Sequence, residues 1–248
     1  MEGLSCRLLP FRVADGATNM AADHVLLESA LNGRTSLRFY GWSEPTLSLG
    51  YFQPESIRHQ DPGLALLPYV RRATGGEILI HHHEVTYALA LPAGQPWQSR
   101  SMNAAAWLHR MHRLVSDALR SLSVKPTLAS DAPRTASGSL CFAHPMAGDV
   151  LIGSSKIVGS AQRRRRGALL QHGAILLACS PHASSLPGIR ELSGLCLSPS
   201  EVAEAIVAKF ERQCRIPIVP GQWTEPEQWR IAELARHQYA HSSWNQKR

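Results

Sequence analysis

Two residues stand out for the chemistry they could do together. Cys141 follows a run of small polar residues (129–139, ASDAPRTASGS), and Lys156 comes fifteen residues later, inside SKIVGSAQ. A cysteine in such a place is ordinarily a packed small hydrophobe. A lysine held near it changes that. A thiol at its reference pKa of about 8.5 is mostly protonated at neutral pH, and a neighbouring ammonium favours the thiolate, which accepts acyl groups. Gly159, Ser160, Ala161 and Gln162 after the lysine are too small and uncharged for an ordinary solvated strand. Glycine and serine there let backbone N–H groups approach a bound ligand closely. The run Arg163–Arg166 reads as a solvated hairpin turn, or as a docking patch for an acidic carrier protein.

A second cluster lies upstream. Arg71 and Arg72 end an apolar run just before Thr74-Gly75-Gly76, and a paired-glycine turn beside guanidinium groups can cradle a phosphate or a carbonyl. It lacks the Gly-Lys-Ser/Thr ending of a Walker motif. His81, His82 and His83 suggest a metal, but neighbours on a strand point to opposite faces, so three in a row cannot share one ion. One inward histidine with two outside is the expectation, with no metal. His172-Gly173 lies within the apolar GALLQHGAILL, as a core or site-lining pair.

Several elements must position these residues. Residues 1–17 read as a lead-in strand or arm. Thr18 or Asn19 is expected to cap a first helix carrying Met20, His24, Leu27 and Leu31, with Gly33 as the stop. SLRFYGW (36–42) and TLSLGYFQ (46–53), separated by Glu44-Pro45, read as a hairpin. Leu66–Val70 reads as a buried strand, and Val85, Tyr87, Leu89 and Leu91 form the larger-residue face of another. A helix is expected over about 102–122, with a stripe of Ala105, Leu108, Val115, Leu119 and Leu122. DVLIG, KIVGSAQ and GALLQHGAILL read as three strands divided by Gly and Ser. Capping boxes at Ser198–Glu201 and Thr224–Glu227 open two C-terminal helices, the first with Val202, Ile206 and Phe210 on one face. The pattern is one α/β (α+β) domain with a mixed sheet flanked by helices.

Composition limits the alternatives. The chain has 248 residues, a formal net charge of +7 and 6% aromatic residues, none interleaved with the arginines. That excludes a stacking platform for single-stranded nucleic acid, while the positive charge suits an acidic protein partner. No apolar run approaches the roughly 20 residues needed to span a bilayer. The N-terminus has no long apolar h-region, so a cytoplasmic enzyme is expected. Five cysteines (6, 141, 179, 196 and 214) make no CxxC pair and read as free thiols.

Taken together, the pieces resemble one superfamily. Arg71-Arg72-Ala73-Thr74-Gly75-Gly76, then His81 and Val85-Thr86-Tyr87, is similar to the arginine–glycine–histidine signature of the lipoate–protein ligases, octanoyltransferases and biotin–protein ligases. Lys156-Ile-Val-Gly-Ser-Ala-Gln162 resembles their catalytic-lysine strand, Leu170–Leu176 the strand after it, and Tyr40–Gln53 a hairpin near their N-terminus. The matches span roughly residues 18–180 in the family's order. Cys141-Phe142 ahead of the lysine resembles the octanoyltransferases whose nucleophile precedes it.

The resemblance implies a biotin/lipoate-ligase catalytic domain, class II synthetase-like, over residues 18–215. Residues 1–17 are then an arm, and 216–248 a C-terminal helix packed on the same domain. It implies transfer of octanoyl from acyl carrier protein to a lysine of a lipoyl domain or glycine-cleavage H protein, with no cofactor, in a monomer. Cys141 and Lys156 would be catalytic. Arg71, Arg72, Thr74, Gly75, Gly76, His81, Tyr87, Gly159–Gln162, His172 and Gly173 would hold substrate. An ATP-dependent lipoate ligase is the runner-up. Glu77, in place of a third glycine, and His82, in place of an aspartate, weaken it. An amidotransferase between lipoyl-accepting proteins, or a non-catalytic paralogue, are further alternatives.

Overall fold

Alternation of large and small residues sets the two faces of the central sheet. In β6 (Glu84–Leu91), Val85, Tyr87, Leu89 and Leu91 join one core cluster while Ala88 and Ala90 join another. Small alanines on the second face let a helix lie close against the strand. The computed structural model describes residues 5–94, 103–130 and 141–247, with only the backbone at Cys141. The loop expected over 129–139 lies, beyond Ser130, outside the described residues.

Among the described residues there are two sheets. The larger runs β11-β1-β2-β6-β10-β9-β8-β7. Its strands are β1 (Cys6–Ala14), β2 (Ser36–Trp42), β6, β7 (Thr127–Leu128), β8 (Val150–Ile152), β9 (Ser155–Arg165), β10 (Ala168–Leu176) and β11 (Ile218–Pro220). β1 runs parallel to β11 and β2, and every other pair is antiparallel. The smaller sheet runs β4-β3-β5, from β3 (Thr46–Leu49), β4 (Tyr69–Arg71) and β5 (Leu79–His81).

The parallel step from β1 to β2 requires a crossover, supplied by α1 (Gly16–Leu31). Asp15 caps it, accepting from the Thr18 amide, in place of the expected Thr18 or Asn19. A carboxylate one position before the first helical residue reaches that orphan N–H better than the helical side chains themselves. α1 is buried on most sides because it lies between the sheet and α6 (Glu225–Leu234). The opposite face packs on α3 (Ala104–Ser121) and α5 (Pro199–Cys214). The inward stripe of α3 is Trp107, Met111, Leu114, Val115, Ala118 and Leu119. Ala105 is exposed and Leu108 half-buried, a phase shift set by the bulk of Trp107. Both expected capping boxes are present, and Val202, Ile206 and Phe210 are fully buried.

The hairpin expected over 36–53 does not form. β2 pairs with β1 and β6, whereas β3 leaves for the second sheet and pairs with β4 and β5. The Ser43–Pro45 turn moves the chain between sheets, and all four residues of β3 are buried. Nor is Leu66 in a strand; it is 87% exposed, and the strand begins at Tyr69.

A buried arginine latches the second sheet to the C-terminus. Arg71, with no exposed surface, donates to the carbonyls of Gly50 (2.9 Å) and Asn245 (2.8 Å from Nη2), and to Gln53 at 2.6 Å. Its own amide donates to Asn245 Oδ1 in α7 (Ser242–Asn245). Arg71→Met should lower unfolding free energy by about 3 kcal/mol, because buried carbonyls lose charge-assisted donors. Urea denaturation measures this, and amide exchange over residues 242–247 should accelerate.

Candidate active site

The turn that follows β8 explains where Lys156 sits. Gly153, at φ +60°, and Ser154 link β8 to β9 as a tight two-residue hairpin. This folds Asp149, just before β8, back onto Lys156. The carboxylate Oδ2 and the ammonium Nζ are 2.8 Å apart, and both side chains are more than nine-tenths buried. Gly159 is required by this arrangement, since a Cβ there would lie 2.7 Å from Lys156 Cε and 3.1 Å from Nζ.

The backbone of Cys141 opens a 3₁₀ turn, Cys141–Ala143, packed against β9. The Cys141 side chain lies outside what the structure describes. Its neighbour Phe142 is buried, with Lys156 Nζ 5.3 Å from its ring centroid. The turn and the lysine strand thus meet at one wall.

That wall belongs to a cleft between the two sheets, with about 460 Å³ of space open to solvent. Met20, Tyr40, Leu79, Phe142, Gly159 and Ala174 are among its lining residues, and Arg72, Gly76, His81, Ser160, Ala161, His172 and Gly173 also border it. Gly173 keeps the floor open: a Cβ would lie within 2.7–2.8 Å of Gly159 O, the Tyr87 ring and Ser160 Oγ.

Behind the cleft each polar side chain is engaged. Arg72 donates to the carbonyls of Ser48 (2.9 Å), Gly75 (2.9 Å from Nη2) and Glu77 (2.7 Å), so it shapes the Thr74–Gly76 turn from within. Thr74 Oγ1 lies 2.7 Å from His172 Nε2, and His172 Nδ1 donates to Asp23 at 2.7 Å. Asp23 also accepts from Arg38 (3.0 Å) and Tyr40 (2.9 Å). Burial alone would push Asp23 up, but the Arg38 guanidinium, His172 and Tyr40 outweigh it and hold the carboxyl below the usual range. Gln162 donates to Gln171, and Gln171 to Tyr87.

The three histidines divide between inside and outside. His81 is buried, stacked on Trp42 at 3.7 Å, with Nδ1 donating to Glu84 (2.7 Å) and Nε2 2.8 Å from Ser48 Oγ. His82 is half-buried and His83 exposed, their rings stacked. Among the described residues no group of three or more His, Cys, Asp or Glu is arranged to hold a metal ion.

Of the residues singled out from sequence, the fold gathers Arg72, Gly76, His81, Gly159–Ala161, His172 and Gly173 around the cleft, with Lys156 buried next to the lining residues Gly159 and Phe142. Thr74, Tyr87 and Gln162 stand one hydrogen bond behind residues of this group, or of their neighbours. Gly75 contributes its carbonyl to Arg72. Arg71 is set apart, spent on the C-terminal latch. Asp23, Asp149 and His112 were not anticipated. Asp23 keeps the inward phase of Met20 and Leu27, a readable signal. Asp149 heads the strand antiparallel to the lysine strand, which is readable once Gly153-Ser154 is taken as a turn.

A mixed sheet with this cleft is the architecture of the lipoate–protein ligases. Lipoate-protein ligase A bound with ATP superposes with a TM-score of 0.78 at 22% identity, over 99% of both chains. A bipartite lipoate protein ligase of Thermoplasma acidophilum, solved in a study that includes its E2 lipoyl domain, gives 0.74 at 21%, over 98% of this chain and 96% of that one. The family of the lipoyl protein ligase A/B catalytic domain matches residues 15–211, and the chain belongs to it. Relatives include the octanoyltransferase LipM of Moorella thermoacetica, 32% identical over the whole of both chains, and that of Kyrpidia tusciae, 31% identical over 98% of each.

Burial lowers the pKa of both His81 and His112, against the pull of Glu84 on the first and of the Gly148 carbonyl and Asp149 on the second. A histidine harder to protonate when folded takes up its proton more readily on unfolding. Stability should therefore be level above the unfolded value of about 6.5 and fall as pH drops below it, by about 1 kcal/mol for each at pH 5.5. Urea midpoints at pH 7.5 and 5.5 measure this.

Proposed function

We propose that this octanoyltransferase works through a thioester on Cys141, taking octanoyl from acyl carrier protein and passing it to a lysine of a lipoyl domain or glycine-cleavage H protein. The observation that carries the reading is the cysteine-headed turn set against β9, the strand that carries Lys156 in its buried pair with Asp149. The full-length likeness to octanoyltransferases supports the acyl group, and the mostly apolar cleft suits a fatty tail.

In the first half-reaction the Cys141 thiolate attacks the donor thioester, the C–S bond to the carrier breaks, and the carrier leaves as its thiolate. In the second, the acceptor amine attacks the enzyme thioester, loses a proton, and Cys141 leaves. Thioester exchange is nearly balanced and amide formation runs downhill, so no nucleotide is consumed. Lys156 supplies positive charge beside the sulfur, and Asp149 fixes its position. Backbone N–H groups near Gly159–Gln162 and Gly75–Gly76 would hold the oxyanion. Arg164–Arg166, exposed at the turn between β9 and β10, offer an acidic carrier a docking surface. No described helix is long and apolar enough to cross a membrane.

Intact mass after brief mixing with octanoyl-carrier protein should gain one octanoyl group on wild type and none on Cys141→Ala. An unmodified wild type, or a modified Cys141→Ala, would defeat the reading. Lys156→Ala alone would leave Asp149 buried and unpaired, a cost of about 3–5 kcal/mol. The double variant Lys156→Met/Asp149→Asn is therefore the cleaner probe. It should slow acylation about 100-fold and move iodoacetamide reactivity of Cys141 to higher pH. An unchanged alkylation profile would remove the electrostatic role.

A further inference from the structure

α3 carries a buried histidine that neither formation of the cysteine thioester nor attack on it by the acceptor amine has yet engaged. His112 has no exposed surface. Its Nδ1 lies 2.7 Å from the carbonyl oxygen of Gly148, an atom that only accepts, so Nδ1 carries the proton. Nε2 shares a hydrogen bond with Ser160 Oγ.

The charged and titratable groups that face His112 are few. Asp149 lies 4.0 Å from Nδ1, before β8; Lys156 reaches in from β9; His109 lies on the same helix. Burial dominates over these and holds His112 below the ordinary histidine range, neutral at neutral pH. Nε2 of a neutral Nδ1–H imidazole is an acceptor.

The remaining hydrogen bonds then have one consistent direction. Ser160 gives its only proton to His112. Tyr87, whose hydroxyl lies 2.7 Å from Ser160 Oγ, must donate to it. Gln171 Nε2 donates to the Tyr87 oxygen at 3.0 Å. One lone pair of Ser160 Oγ is left. Ser160 is half-buried on the cleft wall, next to the space that Gly173 leaves open, while His112 is sealed behind it. A hydroxyl that offers only an acceptor to the cleft, backed by a neutral base, suits a nitrogen with a proton to lose.

We propose that Ser160 and His112 form the proton relay of the amide-forming step, an assignment that rests on the thioester reading above. The deprotonated acceptor amine forms the N–C bond as the carbonyl pair moves to oxygen. The nitrogen's surplus proton passes to Ser160 Oγ while the Ser160 hydroxyl proton passes to His112 Nε2. The oxyanion pair reforms the carbonyl, the C–S bond breaks, and Cys141 leaves as thiolate. The imidazolium, beside Asp149 and the Gly148 carbonyl, then returns its proton through Ser160 to water. Ser160 is the catalytic residue of this pair, and His112 acts through it. Acylation of Cys141 has no N–H proton to remove, so the relay serves only the second half-reaction.

The test separates the two steps. Octanoyl-enzyme is formed with octanoyl-carrier protein, isolated, mixed with a lipoyl domain, and followed by mass. His112→Asn keeps a donor for Gly148. It and Ser160→Ala should each take up octanoyl within about threefold of wild type but transfer it about 100-fold more slowly, within the range of lost acid–base catalysis. In wild type the decline of transfer with falling pH should steepen once His112 is protonated, and in His112→Asn it should not. Wild-type transfer by both variants, or equal slowing of both steps, overturns the relay. Nitrogen-15 shifts of the wild-type protein at pH 7 give a check free of any variant. A neutral Nδ1–H tautomer at His112 is required, and an Nε2–H tautomer or an imidazolium overturns the assignment. A wild-type protein that never acquires octanoyl overturns the thioester reading itself, and the relay with it.

Discussion

A lysine and an aspartate buried side by side are expensive to place, and much of the site's architecture follows from them. Taking two charges out of water costs several kcal/mol each, recovered only with good geometry and further hydrogen bonds. The geometry comes from the β8–β9 turn, which sets the Lys156 and Asp149 side chains 2.8 Å apart. A further hydrogen bond comes from the Met146 amide, which donates to Asp149 at 2.8 Å. Gly159 then follows, because only a residue without Cβ leaves the lysine its path. A hydrophobic pair of the same volume would be as stable or more so. The pair is better understood as a fixed charge beside the cysteine turn than as a source of stability.

The same economy governs the rest of the cleft. Asp23 is surrounded by Arg38, Tyr40 and His172, and Glu84 by His81 and Thr86. These groups hold one another, so the cleft has a rigid polar backing behind a largely apolar interior. Arg72 illustrates the consequence. A guanidinium beside two glycines looks like an anion cradle in sequence, yet here its donors bind carbonyls of the very turn it would have served. It preorganises backbone, and the backbone forms the wall.

What was legible in the sequence was local. Gly153 with Ser154 and Ser155, and Gly167, marked out β8, β9 and β10, and Ser198–Glu201 and Thr224–Glu227 announced their helices. That one histidine of its run points inward was expected; that it is His81 was not set by alternation, which pairs His81 with His83, but by β5 ending at His81. Non-local pairing was not legible. Glu44-Pro45 looks the same whether the next strand returns beside β2 or departs for another sheet, and β3 departs. The phase of α3 was not legible because Trp107, between three alanines and a leucine, fixes the inward stripe only through its tertiary contacts. Asp149 and His112 belong to the same class of omission. They are 37 residues apart in the chain, and only the packing of α3 on β9 brings them together.

That meeting has a consequence for how one cleft can serve two unlike steps. Forming a thiolate needs positive charge nearby, while removing a proton from an amine needs a neutral acceptor. Lys156 and Ser160 lie four residues apart on β9. Asp149 answers to both, at 2.8 Å from the ammonium and 4.0 Å from the imidazole. While His112 is neutral, the carboxylate is balanced by Lys156. When the imidazole takes a proton, the carboxylate 4.0 Å away offsets part of the new charge. Low dielectric makes such preorganisation worth more than it would be in water. The sealed position of His112 therefore favours the relay: burial keeps the base neutral until the reaction delivers a proton, and the half-exposed Ser160 hydroxyl is its connection to the cleft.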